Sequence, residues 1–163
     1  MTNNEKNYSE SDLLNLDVEQ ITGYLLARSA QLWRKALVEA IKPLDLTDTQ
    51  YFLLSISHHL QQKHFQVTQA LIAQHGEMDT MMVSQVIRRM ESKGFLRRTP
   101  HPTDSRAKVI TLTTAGTQTL SRARSHIMNA ARVFFQPLDN EENFNQQLRK
   151  LYETHIKDDK STC

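Results

Sequence analysis

The chain has little of what usually interrupts helices or staples a small fold. It holds one cysteine, the terminal Cys163, so no intrachain disulfide can form. A lone thiol on a polar end also lacks the structured pocket that a redox switch needs. Four glycines and four prolines among 163 residues are too few for a protein of many strands and turns, and point to a mainly helical fold. No apolar run approaches the roughly 20 residues that cross a bilayer, and residues 1–12 lack the apolar stretch of a signal peptide. These absences read as a soluble, cytoplasmic protein with no membrane partner. There is no Gly-rich phosphate loop, paired-carboxylate motif or nucleophile–base constellation, so neither enzymatic activity nor a cofactor is expected. Seven histidines lack the spacing of a metal site, and neighbours His58 and His59 point apart on a helix, so they are read as scattered surface residues.

What is present begins with charge. The formal net charge is only +2, but between residues 88 and 108 stand Arg88, Arg89, Lys93, Arg97, Arg98, Arg106 and Lys108 against Glu91 and Asp104. A localised basic segment on a nearly neutral chain is either a solvated helix face or the footprint of phosphate binding.

Helical periodicity runs from Val18 to about Ile41, with Ile21, Leu25, Leu32 and Ala36 on a wide stripe beside Leu26, Trp33, Leu37 and Ile41. Pro43 ends that helix. Thr47-Asp48-Thr49-Gln50 then supplies a capping box for a second helix to about Gln61, with Tyr51, Phe52 and Leu54 expected inward. Thr68 caps a short third helix, and Gly76 is placed to end it in the left-handed conformation. Asp79 opens a fourth helix through Ser92. Its apolar positions Val83, Val86, Ile87 and Met90 share one face, which leaves Thr80, Met81, Ser84, Gln85, Arg88 and Arg89 largely outside. Two short helices joined in this way form a helix-turn-helix or an ordinary helical hairpin.

The next segment favours the first. Gly94 closes the helix, Phe95 to Thr99 and Lys108 to Thr113 read as strands, and His101-Pro102-Thr103-Asp104-Ser105-Arg106 joins them. A two-stranded hairpin directly after a basic helix is a wing. Thr113 or Thr114 then caps a long helix bearing Leu120, Ala123, Ile127, Ala131, Phe134 and Leu138. A last helix carries Phe144, Leu148, Leu151, Tyr152 and Ile156. Their apolar stripes are too wide to stand alone, and bury against the first helix or a second copy of it.

In this order and spacing the sequence resembles the MarR family (multiple antibiotic resistance regulators) over nearly its whole length. Three pieces carry the resemblance: Leu46 to Tyr51, Ile87 to Arg98, and Asp104-Ser105-Arg106 through Leu112-Thr113-Thr114-Ala115-Gly116. It implies a mainly α fold with a small β wing: a winged helix-turn-helix domain, residues 47–113, on an intertwined helical dimerisation domain made of 13–46 and 114–157. Residues 1–12 and 158–163 are expected to be flexible polar ends.

The resemblance further implies a homodimeric repressor on an inverted-repeat operator in duplex DNA. The fourth helix would enter the major groove, with Thr80, Met81, Met82, Ser84, Gln85, Arg88, Arg89 and Lys108 as DNA-binding candidates. Arg106 would reach a minor groove and Asp104 would hold the wing. Ser84 and Gln85 suit base edges, while Arg88 and Arg89 suit phosphate or guanine. Met81 and Met82 stand where the family often has small polar residues, and Gln85 where it often has Arg. Either methionine contacts thymine methyls or packs inward. A small aromatic or amphipathic effector is also implied, with Trp33, Tyr51 and Phe52 as lining candidates.

Overall fold

The computed structural model describes residues 9, 11, 14–64 and 66–160. Most of the N-terminal segment expected to be frayed, and Cys163, lie outside the described residues. The chain divides into two compact units, residues 1–35 and 36–163. Among the described residues the principal elements follow in the order α1 (Thr22–Ile41), α2 (Asp48–Gln61), α3 (Gln69–His75), α4 (Thr80–Ser92), β1 (Leu96–Pro100), β2 (Lys108–Leu112), α5 (Thr114–Phe134) and α6 (Glu141–Lys160).

The first helix does not run unbroken from Val18. Asp17 accepts a hydrogen bond from the Glu19 N–H at 3.1 Å and from the Gln20 side chain at 2.9 Å, which holds residues 18–20 in a 3-10 turn. Ile21 is extended, and α1 begins after it. Pro43 stops α1 as expected, within a second 3-10 turn (Lys42–Leu44) that closes on Asp45 in the left-handed conformation, φ 52°.

Each helix of the winged region is started by its own side chain. Thr47 and Gln50 form the reciprocal capping box, both bonds at 3.2 Å, and Gln50 is buried with its side-chain oxygen accepting there. Thr68 caps α3 through the Leu71 N–H, and Asp79 caps α4 through the Met82 N–H at 2.8 Å. Thr113 caps α5 through the Gly116 N–H while its hydroxyl lies 2.6 Å from the Gly94 carbonyl.

The core of the second unit gathers Leu53, Leu54 and Leu60 of α2, Ile72 of α3, Val83, Ile87 and Met90 of α4, Leu96 and Ile110 of the sheet, and Leu120 and Ala123 of α5. The expected inward face of α2 is corrected by this packing. Leu53 and Leu54 are fully buried, whereas Phe52 is 44% exposed and Tyr51 half-buried. Four consecutive apolar residues cover more than half a helical circumference, so the elements packed on α2 select which two turn inward.

Gly76 corrects another expectation. It is right-handed, φ −88°, and the positive φ falls on Glu77. At Gly76 a Cβ would sit 2.9 Å from Ile56 Cδ1, the movable end of that side chain, and 3.3 Å from the Ile72 carbonyl oxygen. Gly94 is the left-handed residue, φ 75°, that turns α4 into the wing. At Gly116 the start of α5 passes so near the wing that a Cβ would lie 2.0 Å from the Phe95 carbonyl oxygen.

The strands pair antiparallel, with Leu96 opposite Leu112 and Pro100 opposite Lys108. The hairpin is fastened to the rest by Ile110, whose N–H donates to the Val67 carbonyl at 2.7 Å and whose carbonyl accepts from the Gln61 side chain at 3.1 Å. Downstream, α5 ends at Phe134, so Leu138 lies beyond the helix on which it was expected. Pro137 disfavours helical backbone at the residue before it, which accounts for the stop. The terminal helix is described through Lys160.

Candidate nucleic-acid interface

α4 is amphipathic in the way its sequence requires. Val83, Ile87 and Met90 are completely buried, one turn apart, and set the helix's rotation. The opposite face then presents Thr80, Met81, Gln85, Arg88 and Arg89 to solvent, with Met81 70% exposed, while Met82 and Ser84 are half-buried at its margins. Burying three large side chains and leaving two arginines free makes a rigid, basic, outward-facing helix.

The wing is joined to that helix by charge. Glu91, on the last turn of α4, accepts from the Arg98 backbone N–H at 3.1 Å and from Arg98 Nε at 2.6 Å. That hydrogen bonding is the main reason the Glu91 carboxyl is held below its ordinary range, against a smaller opposing effect of burial. At the wing tip, Asp104 Oδ1 accepts from the Arg106 backbone N–H at 2.9 Å, and the Asp104 carbonyl accepts from the Ala107 N–H at 3.0 Å. The Arg106 guanidinium is only loosely held, Nε standing 3.9 Å from Asp104 Oδ1, and its side chain is 95% exposed. Asp104 therefore orders the loop, and Arg106 projects from it. Lys108 is also exposed, at the start of β2.

Between the wing and the start of α4 lies an open cleft of about 390 Å³. Four of the DNA-binding candidates, Thr80, Asp104, Arg106 and Lys108, line it together with Gln69 and His101, which were not among them. The approach of α3 to the wing depends on the bridge between Thr68 and Val109 and on the Val67–Ile110 bond. Such pairings join residues far apart in sequence and leave no local signal. For His101 a signal exists: it precedes Pro102 at the opening of a turn.

The three aromatic effector candidates stand on α1 and α2. Trp33 is half-buried on α1, while the Tyr51 and Phe52 rings of α2 lie 5.6 Å apart. His59 stands 5.5 Å from His75 across α2 and α3, and the described residues contain no group of three or more histidines, cysteines or carboxylates suited to a metal. No helix among them is long and apolar enough to cross a membrane.

The model of the MarR family matches residues 46–108, the span from the α2 cap to the first residue of β2. An uncharacterized HTH-type transcriptional regulator of Bacillus subtilis, YdcH, is 32% identical over 129 residues, which are 79% of this chain and 88% of that protein. The chain belongs to the MarR family. It is a winged helix-turn-helix transcriptional regulator, and MarR proteins are regulators rather than an enzyme class. The MarR fold is matched by the Staphylococcus aureus MepR–DNA complex, TM-score 0.70 at 23% identity, covering 84% of this chain and 98% of that one. CouR of Rhodococcus jostii, solved with p-coumaroyl-CoA, matches with TM-score 0.70 at 24% identity over 82% of this chain and 91% of that one. On the α4 surface of this MarR chain Met81 and Gln85 are both exposed.

Proposed function

We propose that this MarR-family chain is a cytoplasmic, non-enzymatic homodimeric repressor that binds an inverted-repeat operator and loses affinity when a small aromatic or amphipathic effector binds. The observation that carries the DNA reading is the pairing of an anchored helix with a projecting arginine: α4 is fixed by Val83, Ile87 and Met90, and Arg106 extends alone from an ordered wing. In this reading Ser84 and Gln85 meet base edges in the major groove, with Met81 and Met82 beside thymine methyls. Thr80, Arg88, Arg89 and Lys108 meet phosphates or guanine. Arg106 enters the minor groove, where a narrow groove concentrates negative potential, and Asp104 holds it there.

Dimerisation is supported by apolar surface that the single chain leaves open. Leu25 and Leu32 of α1 are 49% and 55% exposed, and Met128 and Val133 of α5 and Leu151 and Tyr152 of α6 are more than half or half exposed. Side chains of this kind repeated along helices are the usual mark of an interface. The dimerisation domain is accordingly assigned to 13–46 and 114–157, and the DNA-binding domain to 47–113. Effector control is supported by CouR with its bound acyl-CoA, and Trp33, Tyr51 and Phe52 are the aromatic candidates for contact.

Sedimentation at micromolar concentration should show one dimeric species, and selection from random duplexes should return inverted repeats with half-sites about 10 bp apart. A monomer, or a preference for single strands, would overturn this reading. Thermal-shift screening followed by DNA binding in the presence of each hit tests the effector.

A further inference from the structure

We infer that His101 is a positioning residue for the wing, which caps the wing turn and thereby aims Arg106. The inference rests on the DNA-binding reading above. His101 Nδ1 faces the Asp104 N–H at 3.2 Å, the Thr103 N–H at 3.4 Å and the Thr103 hydroxyl at 3.4 Å. With the ring proton on Nε2, Nδ1 is an acceptor and all three groups can donate to it. Pro102 follows at once and sets the backbone for the bend. A turn with proline second usually opens with Asp, Asn or Ser, whose side-chain oxygen accepts from the N–H groups ahead. Here an imidazole nitrogen takes that part.

The bonds continue to the arginine. The Asp104 backbone is held by His101, the Asp104 carboxylate holds the Arg106 N–H at 2.9 Å, and the Ala107 N–H donates to the Asp104 carbonyl at 3.0 Å. The loop is closed by the His101 N–H donating to the Ala107 carbonyl at 3.3 Å. Without the ring acceptor the Thr103 and Asp104 N–H groups lose that partner, so the Asp104 backbone that carries the carboxylate bonded to the Arg106 N–H is less firmly held. The Arg106 side chain, 95% exposed, keeps only a loose 3.9 Å contact with that carboxylate. His101 would then act on DNA through Arg106 and not by its own contact.

The test is a double-mutant cycle. Wild type, His101→Ala, Arg106→Ala and the double variant are titrated against the selected operator and an unrelated duplex at one salt concentration, with His101→Asn as a fifth protein. His101→Ala should weaken binding to both duplexes about threefold to tenfold, the range of one or two net hydrogen bonds. Asn places an oxygen near the position of Nδ1, so His101→Asn should restore binding to within about twofold of wild type. In the Arg106→Ala background, His101→Ala should add less than about twofold, since residues acting through one another are not additive. A full His101→Ala loss in the Arg106→Ala background, an unchanged His101→Ala protein, or no rescue by Asn would each overturn the inference while leaving the DNA reading intact. An Arg106→Ala protein that binds as tightly as wild type would overturn the wing reading and this inference with it.

Discussion

Glu91 and Arg98 clamp α4 to the wing: one carboxylate oxygen accepts the Arg98 backbone N–H and the other its Nε at 2.6 Å. Helix and wing are thereby fixed to each other by a pair only seven positions apart in sequence. Because the Glu91 carboxyl is lower in the folded state, its contribution is present above the unfolded value near 4.5 and is lost as pH falls through the folded one. Glu91→Gln should therefore lower stability at pH 7 by about 1 kcal/mol and flatten the acid limb below pH ~4.5. Urea titrations of both proteins across that range check it, and matching acid limbs would contradict it.

At the far end of α2 the sign is reversed in origin but not in outcome. The pKa of His59 is lowered, first by the charge of Lys63, then by burial, then by His75 and His58. Above about pH 6.5 His59 is neutral folded or unfolded and contributes nothing; as pH falls below that, the unfolded chain takes up the proton more readily and stability declines. Lys63→Gln should make the melting temperature less sensitive to acidification between pH 7 and 5.5. An unchanged pH slope would remove Lys63 as the cause.

Two glycines should differ in their response to alanine. Gly94→Ala meets open space and suffers only its positive φ, a loss of about 1–2 kcal/mol. Gly116→Ala drives a Cβ against the Phe95 carbonyl and must push the start of α5 off the wing, for a loss of at least ~3 kcal/mol. Chemical denaturation gives the order. If Gly94→Ala is the more harmful, the contact between α5 and the wing is looser than described.

Arg106→Ala and Gln85→Ala separate two kinds of recognition. Arg106 is expected in a minor groove, where A·T and T·A look nearly alike, so its loss should weaken binding to many sequences. Gln85→Ala should instead relax discrimination at one or two positions per half-site, by about 1–3 kcal/mol each. Titration against the operator and its single-base variants distinguishes them. An Arg106→Ala protein with altered base preference but undiminished affinity would contradict the assignment.

Much of the winged region was legible because its signals are local. Thr47, Thr68, Asp79 and Thr113 each cap the helix expected of them, since a cap bond spans only three residues. The buried and exposed faces of α4 followed from spacing, and the Asp104 to Arg106 segment from its resemblance to the family.

What the chain determined by itself was thus the set of elements, the capped starts of the helices in the winged region, and the outward chemistry of α4 and the wing, all governed by short-range bonds and periodicity. Tertiary structure alone decided that Leu53 rather than Phe52 enters the core, and that Gly76 is right-handed and packs close to Ile56. It also decided that Gln69 and His101 share a cleft with Arg106. Each of those outcomes depends on an atom contributed from elsewhere in the chain, and no local pattern records where such an atom will be.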